Sequence, residues 1–498
     1  MYLIGYDIGS SSIKAALVET QSRSTIKVVQ SPDTEMEIQA PNPGWAEQYP
    51  EIWWKNLLQA TRKLLQSTEV KPQDIGAIGI SYQMHGLVVV DKQQQVLRPS
   101  IIWCDSRAVE IGEQAFEEIG QQQCLSHLLN SPGNFTASKL RWVKEHEPEI
   151  YQRIDKLMLP GDFIAMKLTG DIRTTVSGLS EGVMWDFESD GVADFLLKHY
   201  GIDSGLIPEV VPTVSNQGTL TEEAAGLLGL KPGIPIGYRG GDQPNNAMSL
   251  NVLKPGEIAA TGGTSGVVFG VVDRLVFDPQ VRVNGFAHVN HQHHKPSIGV
   301  LLCINGAGIQ YGWMKQHVAG SKKTYKDMEQ MAESVAIGAD GLRIVPFGNG
   351  AERMLGNHNL GTHIINLQLN KHGKAHMYRA ALEGIACSFA FGIDILKDMG
   401  LNIDVLKVGN DNLFQSNVFS TTLAALAGCE IQVMETTGAV GAAKASGVAA
   451  GVYSNLEEAI GTPRTVQTFS PTETDQPYRE LFEIWKQDLT GLLKAVST

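Results

Sequence analysis

No uncharged apolar run long enough to span a bilayer occurs in these 498 residues, and the N-terminus turns acidic too early for a signal peptide. Basic residues are in the minority, 40 Lys and Arg against 53 Asp and Glu, which gives a net charge of −13 without any basic run. A nucleic acid or an anionic membrane would have to bind against that field, so small-molecule partners are expected in their place. The five cysteines, Cys104, Cys124, Cys303, Cys387 and Cys429, are scattered and odd in number. They exclude a disulfide framework and suggest a reducing cytoplasm. No Walker Gly-Lys-Ser/Thr ending and no Gly-x-Gly-x-x-Gly spacing is present, so the P-loop and Rossmann readings fall away. Low-complexity linkers are missing too. His288, His291, His293 and His294 cluster without a nearby acidic or cysteine partner, which reads as a polar loop or hairpin end and not as a metal site.

The length exceeds what one hydrophobic core supports, and at roughly 100 to 200 residues per domain it predicts at least two. Tyr2 to Ile8 reads as a strand, Gly9 to Ser12 as a tight turn and Ile13 to Glu19 as the returning strand. Gly256 to Val272 repeats the pattern about half the chain later, with Gly262-Gly263-Thr264-Ser265 in the turn. Two phosphate-sized turns, one early in each half, imply a duplicated α/β architecture that grips a nucleotide from both sides of a cleft. The Pro/Gly turn at Lys231 to Gly237 feeds a short strand that stops at Gly240-Gly241-Asp242-Gln243, and the domains are expected at 1–245 and 246–498. Gly438 to Lys444 opens a small-residue helix suited to close packing on backbone or ligand.

Chemistry concentrates at a few of these points. Asp7 closes a strand beside Gly and Ser, where a carboxylate can hold hydrated Mg²⁺ or simply satisfy turn amides. Ser10, Ser11 and Ser12 add donors for phosphate, and Lys14 adds a point charge. Asp242 ends a strand where the halves join, placed either as a base toward a hydroxyl or as a helix cap. Gln83-Met84-His85-Gly86 combines a soft apolar side chain with a hydrogen-bonding ring, a surface suited to a sugar. Trp103 offers an aromatic wall beside an Asp105–Arg107 pair.

Taken in order, Asp7-Ile8-Gly9-Ser10-Ser11-Ser12, Gly44-Trp45-Ala46-Glu47-Gln48, Gln83-Met84-His85-Gly86, Trp103-Cys104-Asp105-Ser106-Arg107, Gly240-Gly241-Asp242-Gln243 and Gly262-Gly263-Thr264-Ser265 resemble the FGGY carbohydrate kinases over nearly the whole chain. The resemblance implies two ribonuclease H-like domains of the actin and hexokinase type, with ATP and Mg²⁺ in the cleft between them. It implies phosphorylation of D-xylulose on its terminal hydroxyl, with Asp242 as catalytic base and Asp7 associated with the metal. Met84, His85, Asp242, Gln243 and Trp103 would meet the sugar. Ser10, Ser11, Ser12, Lys14, Thr264, Gly306 and Gln310 would face phosphates and ribose, and Gly409 and Asn410 the adenine. A homodimer follows from the resemblance alone.

Two stretches depart from that pattern. Val408 to Ser416 replaces a glycine-rich adenosine motif, and Pro346 to Arg353 is one residue longer than expected. Within the same chemistry the alternative is a kinase of another pentulose or polyol, such as ribulose, xylitol or glycerol. From a different class it is an actin- or chaperone-like ATPase switch, which would need no sugar pocket.

Overall fold

Two mixed sheets carry the architecture of the computed structural model, which describes residues 1–320, 323–472 and 475–496. The first contains β1 (Tyr2–Ile8), β2 (Ile13–Glu19), β3 (Thr25–Ser31), β4 (Ile75–Tyr82) and β5 (Ile236–Gly241), in the order β5-β4-β1-β2-β3. The second contains β6 (Ile258–Gly262), β7 (Gly266–Val272), β8 (Asn284–Ala287), β9 (Ile298–Ile304), β10 (Val405–Gly409), β11 (Glu430–Met434) and β12 (Thr465–Phe469), in the order β8-β9-β7-β6-β10-β11-β12.

In each sheet an antiparallel hairpin leads, and two later strands add in parallel to the hairpin's first strand. β9-β7-β6-β10-β11 therefore repeats β3-β2-β1-β4-β5, and both expected hairpins form with their Gly/Ser/Thr turns. The fold is a pair of ribonuclease H-like α/β domains. β1 is buried apart from Tyr2 and Asp7, because it lies at the centre of its sheet, and its near-continuous apolar run follows from that.

The halves are interleaved. The first half sends α1 (Val176–Glu181) onto β8, where Ser177 donates to the Ala287 carbonyl at 3.1 Å and the Ala287 N–H donates to Ser180 at 3.0 Å. Asn130 brackets Gly285 in the same way through its side-chain amide. Arg353, in the stretch longer than expected, reaches back to Ser131 at 3.1 Å and also bonds Asn284. These contacts cover the edge strand of the second sheet. Met84, Leu129 and Phe135 accordingly share one apolar core with Phe286 and Val300.

From α2 (Asp242–Ser249) the chain leaves the first sheet, and α3 (Gly438–Ala449) returns to it from the second half. α3 lies across β1, β4 and β5 at three glycines. A Cβ at Gly5, Gly79 or Gly237 would overlap the carbonyl oxygen of Ala439, Ala442 or Ser446, one face of the helix. Gly5 and Gly79 are register partners, so the glycines form a groove across the strands that admits the helix backbone itself.

Among the described residues no helix is long and apolar enough to cross a membrane, and no group of three or more His, Cys, Asp or Glu could hold a metal. All five cysteines are free. His288 is buried against the Val252 carbonyl, while His293 pairs with Asp190 and its ring lies 4.3 Å from that of His294.

Filling the groove has no soft partner to displace, so Gly79→Val should cost about 3 kcal/mol, read as a lower urea midpoint. Gly226→Ala is the control. It lies in the Glu222–Leu228 helix with nothing near the added methyl, and should stabilise by about 0.5–1 kcal/mol.

Candidate active site

β1, β4 and β5 run parallel and end at one edge, which is where open α/β sheets hold ligands. Asp7 closes β1, Gln83-Met84-His85 follows β4, and Asp242 follows β5 as the first residue of α2. Residues from positions 7 to 242 are thereby brought to one patch.

Asp7 accepts a hydrogen bond from Ser81 at 3.2 Å, and Lys14 stands opposite it in the hairpin register. Its other oxygen faces the start of α3, where a Cβ on Gly438 would sit 3.2 Å away, so glycine lets the positive end of a helix approach the carboxylate. Burial raises the Asp7 pKa, and Lys14 and Ser81 offset part of the rise. Asp242 has less compensation. Burial, then the charges of Asp7 and Glu181, push its carboxyl up to about 8 against bonds from Gln243 that lower it.

The sugar-side residues divide by environment. Met84 packs with its chain against Gly241 and is 4% exposed, so it forms a wall of the site. Gln243 bonds Asp242 and is half-buried. Trp103 is 51% exposed and its indole N–H donates to Ser10 Oγ at 3.3 Å, joining the sugar side to the first phosphate turn. The Asp105–Arg107 pair lies buried beneath it at 2.7 Å, with Glu47 on the same guanidinium and Trp45 stacked 3.8 Å from it. Gln48 holds that turn from behind, donating to the Ser10 carbonyl at 2.8 Å while Trp53 donates to Gln48.

The second phosphate turn opens on a cavity of ≈ 1000 Å³. Gly262 to Thr264, the helix Gly308–Trp313, the helix Tyr325–Glu333 and Asn412 to Asn417 line it. Thr264 is therefore placed at the cavity. Four other residues expected to face the nucleotide do not line this cavity. Gly306 is wedged on the Pro346 carbonyl, where no side chain would fit, and Gln310 accepts from Thr362 at 2.9 Å. Gly409 still belongs to β10, and the Asn410 N–H is spent on the Met434 carbonyl. The wall is instead supplied a few residues on, by Asn412, Gln415 and Asn417, with Tyr311 and Tyr325 stacked opposite.

Sequence reading also passed over Glu181. Its carboxylate is 1% exposed, bonded to His85 and close enough to Asp242 to raise it. Glu181 lies in the polar run Thr174 to Gly182.

A carboxyl held at about 8 instead of its ordinary 3.8 makes the native state bind the proton more tightly than the unfolded chain. Its stabilising share is complete below about 4 and is lost as pH rises toward 8. Asp242→Asn should therefore raise Tm at pH 8, with the gain vanishing near pH 4. An equal gain at both pH values would refute the burial cost.

Comparison with known proteins agrees with this geometry. The model of the FGGY carbohydrate kinase N-terminal domain matches residues 2–249, and that of the C-terminal domain matches 258–450. Xylulose kinase of Bacillus subtilis is 28% identical and that of Escherichia coli K12 29% identical, each alignment covering at least 98% of both chains. The crystal structure of xylulose kinase from Rhodospirillum rubrum superposes with a TM-score of 0.89 at 25% identity, over 100% of both chains. Both family models match in order over most of the chain, which therefore belongs to the FGGY family of carbohydrate kinases.

Proposed function

We propose that the protein transfers the γ-phosphoryl group of ATP to the terminal hydroxyl of D-xylulose, with Asp242 as general base. The observation that carries this reading is the placement of Asp242. It sits at the carboxyl edge of the first sheet, with its pKa raised to about 8, so that once deprotonated it is basic enough to accept the hydroxyl proton. The names of the full-length relatives support the acceptor.

In this reading the halves 1–245 and 246–498 close on the substrates and exclude water, which limits ATP hydrolysis. The first sheet is complete at Gly241 and the second begins at Ile258, which supports a division in that interval. Ser10, Ser11, Ser12 and Lys14 from one turn and Thr264 from the other cradle the phosphates. Met84, His85, Gln243 and Trp103 orient the ketose. The base and ribose occupy the cavity wall at Asn412 to Asn417, in place of Gly409 and Asn410.

Asp7 is a hard oxygen donor with one oxygen free of side-chain partners, which fits Mg²⁺, since that ion keeps several waters and takes one or two carboxylates beside phosphate oxygens. Bound there, Mg²⁺ would neutralise charge on the transferring phosphate. Asp7 holds position through Ser81, and Lys14 adds charge on the same face.

ADP release from MgATP tests the reaction with D-xylulose, D-ribulose, xylitol and glycerol as acceptors. A D-xylulose-dependent rate is expected. Preference for another acceptor would replace the substrate, and hydrolysis independent of any sugar would overturn the kinase reading. Asp242→Asn should lower kcat/KM by about 10²–10⁴-fold, roughly 3–5 kcal/mol, with ATP binding retained. Because the base must be unprotonated, kcat/KM should climb with pH, reach half its maximum near about 8 and level off above that in the wild type. Asp7→Ala should raise the Mg²⁺ concentration needed for half-maximal rate, and an unchanged requirement would remove Asp7 from that role.

A further inference from the structure

His85 is held by every polar handle except one. Its backbone is in the left-handed region, φ 62°, which a non-glycine residue adopts only where its surroundings compensate. The His85 N–H donates to Glu181 Oε2 at 2.6 Å, and the His85 carbonyl accepts from Lys139 Nζ at 2.8 Å. The ring nitrogen Nδ1 lies 2.8 Å from the Glu181 carbonyl and 3.1 Å from Glu181 Oε2. The ring itself is clamped between Phe135 of the first half and Phe286 of the second.

Two oxygens that can only accept face Nδ1, so Nδ1 carries the proton. In the neutral ring Nε2 is then left with a lone pair. The His85 side chain is 20% exposed, and no protein partner meets Nε2 among the described residues.

Glu181 is buried with no Lys or Arg in an ion pair among the described residues, and besides His85 it meets the buried Tyr82 hydroxyl and the Gly241 backbone. The nearest cation, Lys139, is fully buried and spends its ammonium on the carbonyls of His85 and Ile102. A buried carboxylate left in this state is costly, and a core site of this size is more cheaply filled by an apolar residue.

We propose that Glu181 is a positioning residue that fixes His85 as the Nδ1–H tautomer, so that Nε2 meets the acceptor sugar as a hydrogen-bond acceptor. The site then selects a neutral hydroxyl at that point. A carboxylate or phosphate there would face a lone pair in a site already crowded by the carboxyl groups of Glu181, Asp242 and Asp7. This deepens the sugar-kinase reading and rests on it.

The test has two parts. In protein labelled with ¹⁵N-histidine, the signal lost in His85→Asn reports the tautomer without any substrate. Nδ1 protonated with Nε2 bare is expected at pH 8, and an Nε2–H tautomer or an imidazolium overturns the proposal. In Glu181→Gln, KM for the acceptor should rise about 10-fold, the weight of one hydrogen bond, while KM for ATP stays put. An unchanged acceptor KM, with or without a fall in kcat, overturns it as well. Failure of the kinase reading would instead appear as absence of acceptor-dependent turnover in the wild type, and the tautomer would still be read.

Discussion

The seating of α3 in the glycine groove is the contact on which the rest of the site depends. Helix backbone rests directly on strand backbone at Gly5, Gly79 and Gly237, leaving no side chain between them to adjust the distance. Interiors packed this closely transmit displacement instead of absorbing it. The helix belongs to the second half and the strands to the first, so the groove fixes one end of the cleft. The same contact delivers the N-terminus of α3 to Asp7 and levels the ends of the three parallel strands. From those ends Asp7, His85 and Asp242 reach a common space.

That space is electrostatically expensive. Asp7, Asp242 and Glu181 crowd together, and the cations nearby are either exposed, as Lys14 is, or spent on carbonyls, as Lys139 is. Burial lowers Lys139 itself to about 8, which further limits its power to neutralise. A fold selected for stability alone would dilute these carboxylates. In the proposed reaction such a cluster would take a proton from a hydroxyl and hold a cationic metal complex.

The sequence revealed most where chemistry and local structure coincide. A Gly/Ser turn after an apolar strand signals a hairpin, and the carboxylate at its end stands at the sheet edge, so Asp7 and Asp242 could be found from a few residues each. Trp103 was visible as an aromatic in a polar setting. The small-residue helix at Gly438 was legible as a close packer, but its partners are glycines hundreds of positions away. Glu181 stayed hidden because its meaning lies in contacts made 96 residues from His85. Gly306 and Gln310 pack against Pro346 and Thr362, contacts that a linear reading of glycine and glutamine does not reveal. In the stretch that departs from a glycine-rich pattern, residues from Asn412 to Asn417 line the cavity.

All of these features converge on the acceptor hydroxyl meeting Asp242. A crystal structure of the protein with D-xylulose and a non-hydrolysable ATP analogue measures that meeting directly. The terminal hydroxyl should lie about 3 Å from an Asp242 carboxylate oxygen and in line with the γ-phosphorus. A terminal hydroxyl bonded to another group, with Asp242 bonded only to protein, would contradict the assignment of the base.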